Sequence, residues 1–239
     1  MNRNHLSHPV PRRRMRALTL SLLLGLPAAA CLADAPDARD PGLVDIQSLA
    51  PDVAIEMRYA TDDNFVGAVV DGYEARRCLL SPPAAAAIAA AQAELRAFGL
   101  SLVMFDCYRP QRAVDHFVRW SADPKDLKTR ARYYPNEDKA KMFDRGYIDR
   151  RSGHSRASTV DIGLREITGS RLDMGTGWDF MDPLSATENP EVSDSARQNR
   201  LLLRSVMATH GFSNYAAEWW HFTLVGEPWP ETYFDVPVR

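Results

Sequence analysis

Over residues 81–99 the chain reads Ser-Pro-Pro-Ala-Ala-Ala-Ala-Ile-Ala-Ala-Ala-Gln-Ala-Glu-Leu-Arg-Ala-Phe-Gly, with its large apolar side chains at helical spacing. Ser81 suits an N-cap, Pro82 a first turn and Gly99 a stop, so the pattern predicts a helix over residues 82–98 that turns Ile88, Leu95 and Phe98 inward. Residues 100–105 are a short, nearly unbroken apolar run and read as a strand. Asp106-Cys107-Tyr108-Arg109-Pro110 ends it, because proline disfavours a helical residue before it and has no N–H for a ladder. Further helices are predicted over 111–120 and 195–210, the second from Leu201, Leu202, Val206 and His210 recurring ahead of Gly211. Helices separated by short strands, without regular βαβα alternation, predict an α+β fold: a single domain with a mainly antiparallel sheet packed by helices.

The N-terminus follows a different rule. Arg12, Arg13, Arg14 and Arg16 precede the apolar run 17–26, followed by Pro27 and three alanines. Positive, then apolar, then small is the order of a secretory signal, and the run is short for a permanent membrane span. Residues 1–33 are therefore expected to be a signal peptide, 34–44 a Pro-, Asp- and Gly-rich linker, and 45–239 the single folded domain of an exported periplasmic or cell-envelope protein. Cys31, directly after the alanines, is also placed as a lipid-anchor cysteine would be, although Ala28 stands where such a signal usually has leucine. At 239 residues and 45% hydrophobic composition the chain can bury one sizeable core. The net charge of −2, dispersed along the chain, offers no basic surface for nucleic acid.

Of three cysteines, Cys78 and Cys107 lie in the body. In an oxidising compartment they are candidates for a disulfide contributing roughly 3 kcal/mol; the alternative is two buried, reduced cysteines acting as small hydrophobes.

A histidine-based site in the mature chain must draw on His116, His154, His210 and His221. His116 sits mid-helix beside Phe117, and His210 ends a helix where the dipole favours an imidazolium, so both read as structural. His154 lies in the small, polar stretch Ser152-Gly153-His154-Ser155-Arg156, which suits a loop running into a strand. Asp161, between Val160 and Ile162, would be costly to bury there without a cation or several hydrogen bonds. Glu218-Trp219-Trp220-His221-Phe222 sets a carboxyl and an imidazole three apart among aromatics, a setting that raises a carboxyl pKa toward that of a general base. The segment fits either a helical turn with both groups on one face or entry into a strand with a bulge. Two imidazoles and a carboxylate are the protein ligands of a catalytic zinc site with a fourth position left for water. Thiolate or all-oxygen sites fit this residue set less well.

The same residues carry a family resemblance that spans nearly the whole mature chain. Tyr59-Ala60-Thr61, Val70-Asp71-Gly72-Tyr73, Asp106 with Tyr108-Arg109-Pro110, Ser152 with His154-Ser155-Arg156, Asp161, Phe180-Met181-Asp182, Gln198-Asn199-Arg200 and Glu218-Trp219-Trp220-His221 occur in the order found in the D-alanyl-D-alanine dipeptidases, zinc enzymes of vancomycin resistance. The resemblance implies one Zn2+ per chain on His154, Asp161 and His221, with Glu218 as catalytic base. It implies that Arg109 stabilises the oxyanion and that Ser152, Tyr108 and Trp219 lie against the substrate, a small D,D-dipeptide from cell-wall metabolism. It also implies a fold shared with zinc D,D-carboxypeptidases and the hedgehog signalling domain. Ala157 departs from the glycine common in the family's Ser-Arg-Gly segment, and the cytoplasmic members lack the export signal and the cysteine pair. The neighbouring readings are a zinc D,D-carboxypeptidase or peptidoglycan endopeptidase, and a non-catalytic zinc-binding envelope protein.

Overall fold

The computed structural model describes residues 41–239. The expected signal peptide, Cys31 and most of the linker lie outside the described residues. In chain order the elements are β1 (Val44–Asp45), β2 (Ala54–Ile55), β3 (Leu79–Leu80), α1 (Pro82–Arg96), β4 (Leu100–Asp106), α2 (Gln111–Ser121), α3 (Arg130–Tyr133), β5 (Thr159–Glu166), α4 (Asp194–Thr209), β6 (Phe212–Asn214) and β7 (His221–Leu224), with 3-10 turns between them. Strands β2-β4-β5-β7-β6 form one sheet, antiparallel except for the β2–β4 pair, and β1 and β3 form a separate antiparallel ribbon. The architecture is α+β. Among the described residues no helix is long and apolar enough to cross a membrane.

The helices form where capping and pattern place them. Ser81 Oγ accepts from the Ala84 amide and Ser193 Oγ from the Ala196 amide, each satisfying an otherwise orphaned helix N–H. Gly99 follows α1 at φ +73°, a conformation glycine adopts without a Cβ penalty. Ile88 and Leu95 are buried as expected, but Phe98 is 73% exposed, because the chain has left α1 before its side chain could reach the sheet. In α4 the inward face is Arg200, Leu203, Val206 and Met207, while Leu202 is exposed, so the face lies about one residue from the expected stripe. Arg200 explains the shift. Its guanidinium is buried and donates to the carbonyls of Met174, Leu184 and Ala186, tying the loop before α4 to the core.

The two structural histidines are also placed. His116 Nδ1 accepts from the Asp71 amide, and His210, at the C-cap of α4, has Nε2 2.7 Å from Glu94 Oε2. Cys78 and Cys107 are joined in a disulfide with a Cα–Cα separation of 5.2 Å, which excludes the reduced alternative in this structure.

Candidate metal centre

Three neighbouring strands place one residue each on a single lateral row. Asp106 of β4 stands opposite Asp161 of β5, which stands opposite His221 of β7. Directly opposed residues share a sheet face, so these side chains converge. Two opposed carboxylates repel each other unless cations intervene. One cation is Arg109, three residues beyond the strand end, whose Nη2 lies 2.8 Å from Asp106 Oδ2 and 3.8 Å from Asp161 Oδ2. Its guanidinium sits 5.1 Å from the ring centres of both Tyr59 and Phe117. Tyr73 completes the clamp, donating its hydroxyl to Asp106 Oδ1 at 2.5 Å.

His154 comes from the 3-10 turn Gly153–Arg156 just before β5. Ser152 Oγ caps the turn by accepting from the His154 amide at 3.2 Å. Ala157 closes it at φ 60°, ψ 20°, a left-handed conformation that costs a β-carbon roughly 1–2 kcal/mol. Glycine removes that cost but enlarges the unfolded ensemble. Ala157→Gly is therefore expected to stabilise the protein by up to about 1 kcal/mol in equilibrium urea unfolding.

The His154 ring is held by the Cys107 carbonyl, 2.8 Å from Nδ1. A carbonyl only accepts, so Nδ1 carries the proton and Nε2 presents a lone pair to the interior. Nε2 lies 3.3 Å from Asp161 Oδ1, and His221 Nδ1 lies 3.1 Å from that same oxygen. The three ligand atoms lie within 4.8 Å of one another. Trp178 Nε1 donates to the other oxygen, Oδ2, at 3.2 Å. His154 Nε2 and Asp161 Oδ1 are both buried without a hydrogen-bond partner. An imidazole lone pair facing a carboxylate oxygen is unfavourable unless a proton or a metal cation lies between them, and the nitrogen–oxygen donor set suits zinc.

Glu218 enters from a turn, not from the helix or bulged strand considered above. The Glu218 amide donates to the Tyr215 carbonyl and the His221 amide to the Glu218 carbonyl, while Asn214 Nδ2 donates to the carbonyls of Glu218 and His221, both at 3.0 Å. This clamp leaves Glu218 Oε2 3.6 Å from His221 Nδ1. Burial, with the nearby Asp161 carboxylate adding to it, pushes the Glu218 carboxyl up to about 8. Asp161 behaves oppositely: burial would raise it, but the imidazoles of His154 and His221 hold it well below the usual carboxylate range.

The Glu218 shift has a stability consequence in metal-free protein. The unfolded chain loses the proton near 4.5 and the folded chain near 8, so the favourable contribution of the neutral acid is complete below pH 4.5 and is lost as pH rises through 8. Metal-free Glu218→Gln is expected to show a shallower decline in stability between those pH values; identical pH profiles for the two proteins would contradict the shift.

A cavity of about 560 Å3 opens onto the cluster, and Arg109, Ser152, Asp161, Asp179, Glu218 and His221 are in its wall. Tyr108 and Trp219, expected beside the substrate, are absent from that wall. The Tyr108 hydroxyl bonds the backbone of Val236 in the C-terminal tail, and the Trp219 indole donates to Thr176 Oγ1.

Asp179 was not singled out in the sequence. It is buried, adopts φ 58°, and accepts from the Tyr59 hydroxyl at 2.7 Å. Burial and the Asp161 charge raise its carboxyl well above the ordinary value. The clue was available, since Asp179 lies between Trp178 and Phe180 much as Glu218 precedes two tryptophans.

Comparison with known proteins places this geometry in context. The family model for D-Ala-D-Ala dipeptidases, peptidase M15, matches residues 39–239. A D-alanyl-D-alanine dipeptidase of Streptomyces coelicolor is 48% identical over 194 residues, covering 81% of this chain and 96% of the relative. Those of Enterococcus faecalis and Escherichia coli are 41% and 37% identical, covering 82% and 76% of this chain and 98% and 84% of theirs. Among solved structures, a vancomycin-resistance D,D-pentapeptidase, VanY, in complex with Zn(II) aligns with 12% identity and a TM-score of 0.39 over 73% of this chain and 88% of that one, a likeness too slight to carry an inference.

Proposed function

The chain belongs to the D-Ala-D-Ala dipeptidases of the M15 peptidases, and on that premise we propose that it hydrolyses the free D-Ala-D-Ala dipeptide with one zinc ion held by His154, Asp161 and His221. The observation that carries the metal reading is the buried, unpartnered pair of His154 Nε2 and Asp161 Oδ1, with His221 Nδ1 in reach of the same point. When bound, zinc supplies Lewis acidity to water and to the scissile carbonyl. Glu218 takes a proton from the attacking water and returns it to the leaving amine, a task suited to a carboxyl whose pKa burial has moved to about 8, and one that a neighbouring dication shifts back toward neutrality. Arg109, fixed by Asp106 and two aromatic faces, keeps its charge and presents donors to the negative oxygen that develops in the transition state. Ser152 Oγ, 3.5 Å from Arg109 Nη1, contacts the substrate from the same wall.

A free dipeptide differs from a longer peptide by its ammonium group, and Asp179 is the buried carboxyl in the wall that has neither the metal nor the proton transfer as its task; burial and Asp161 raise its pKa, and an ammonium beside it draws it back to the charged form. Asp179→Asn is expected to raise KM for the free dipeptide roughly tenfold or more, the scale of a charged hydrogen bond, with little effect on an N-acylated analogue. The function itself is tested by comparing zinc-loaded protein on free D-Ala-D-Ala, its N-acylated form and L-Ala-L-Ala. Cleavage of the free D,D-dipeptide alone supports the reading, and preference for the blocked substrate moves the activity to a D,D-carboxypeptidase.

The reading includes export. The basic, apolar and small-residue order of residues 12–30 supports a periplasmic or envelope location, where dipeptide released from peptidoglycan would be scavenged or recycled. Recovery of protein from the cytosol with residues 1–30 intact contradicts it.

A further inference from the structure

The Cys78–Cys107 bridge lies at a place where the sheet no longer holds the chain. In β4 the register with β5 shifts between Met104 and Asp106, and Asp106 is the last residue with a ladder partner. Cys107, Tyr108 and Arg109 continue past the sheet, yet this stretch carries the carbonyl that holds His154 Nδ1 and the guanidinium beside Asp161. Both cysteines are fully buried. The bridge ties this stretch to residues 78–81, which have their own anchorage. The Ile46 amide donates to the Cys78 carbonyl, the Tyr108 amide to the Leu79 carbonyl, and the Ser81 amide to the carbonyl of Ala157, the residue that closes the His154 turn. The Ser81 and Ser158 hydroxyls lie 2.8 Å apart, and the Arg109 amide donates to the His154 carbonyl. A closed circuit thus runs from Cys107 across the sulfurs to Ser81, on to Ala157 and His154, and back through the imidazole to Cys107.

We propose that the Cys78–Cys107 disulfide is a positioning element of the metal centre: it fixes the Cys107 carbonyl that sets the His154 tautomer and the turn that aims Arg109, so zinc affinity depends on the bridge. The proposal rests on the zinc reading above. It assigns the bridge a role beyond general stability, because the partner of a metal-bound histidine's second nitrogen governs how well the first nitrogen binds.

The test compares zinc affinity, by chelator competition, in the full protein and in two bridge-free variants, Cys78→Ala/Cys107→Ala and Cys78→Ser/Cys107→Ser. Leu203→Ala, which opens a cavity under α4, serves as a control that loses stability without touching the site. The bridge-free variants are expected to bind zinc roughly 10- to 100-fold more weakly, the usual effect of losing a partner of a metal ligand, with kcat falling more than KM rises. Leu203→Ala is expected to keep wild-type affinity. In the metal-free protein, 15N chemical shifts of His154 should report a single Nδ1–H tautomer in the wild type and a mixture without the bridge. Unchanged affinity and tautomer in a folded bridge-free variant, an affinity loss in Leu203→Ala as large as theirs, or collapse of both bridge-free variants to unfolded chain would reduce the disulfide to a staple and overturn the proposal. A wild-type protein that fails to bind zinc at all would instead sink the zinc reading beneath it.

Discussion

Asp161→Ala is expected to leave a folded protein that neither retains zinc through gel filtration nor cleaves D-Ala-D-Ala above background. Asp161 is the shared partner of both imidazoles, at 3.3 and 3.1 Å, and its loss leaves two neutral nitrogens with no charge to complement a dication. Several kcal/mol of transition-state stabilisation go with the metal, so kcat/KM should fall by at least about a thousandfold. The fold should survive and gain in one respect, since the opposed Asp106 and Asp161 carboxylates no longer repel each other. Removing zinc from the wild type by a chelator and restoring it should reproduce the loss and its reversal. Wild-type turnover in Asp161→Ala would show that the metal, if present, is held elsewhere.

Glu218→Gln should separate chemistry from binding. The substitution keeps the side chain's shape inside the turn clamped by Asn214 and removes only the ability to take a proton. Zinc content is expected to stay near one per chain, KM to move by no more than a few-fold, and kcat to fall by about a hundredfold or more. That pattern distinguishes a base from a ligand. A variant that loses zinc would make Glu218 a metal ligand, and one with unchanged kcat would remove it from the reaction.

What could be read from the sequence followed from local rules. The caps at Ser81, Gly99 and Gly211, and the stop at Pro110, are properties of single residues, and the three long helices and β4 formed within two or three residues of their expected ends. Asp161 and Glu218 announced themselves as acids in apolar surroundings, and the structure brings Asp161 to both His154 and His221 and Glu218 to His221. What stayed hidden depends on which residues meet across the fold. No local pattern reveals that Asp106 falls opposite Asp161, that Tyr73 reaches Asp106, or that Asn214 ties the Glu218 turn, because strand register and loop closure decide these. The same limit explains Phe98, Tyr108 and Trp219. Each is a large side chain whose direction is decided by what the rest of the fold offers it: Phe98 lies past the end of α1, Tyr108 is held by Val236 and Trp219 by Thr176.

The most direct measurement is anomalous diffraction at the zinc edge from crystals of the full-length mature protein. One peak per chain bonded to His154 Nε2, Asp161 Oδ1 and His221 Nδ1, with the Glu218 carboxylate nearby but unbound, is the expected result. A zinc peak coordinated by other side chains, or zinc-soaked crystals with these three residues bare, would contradict it.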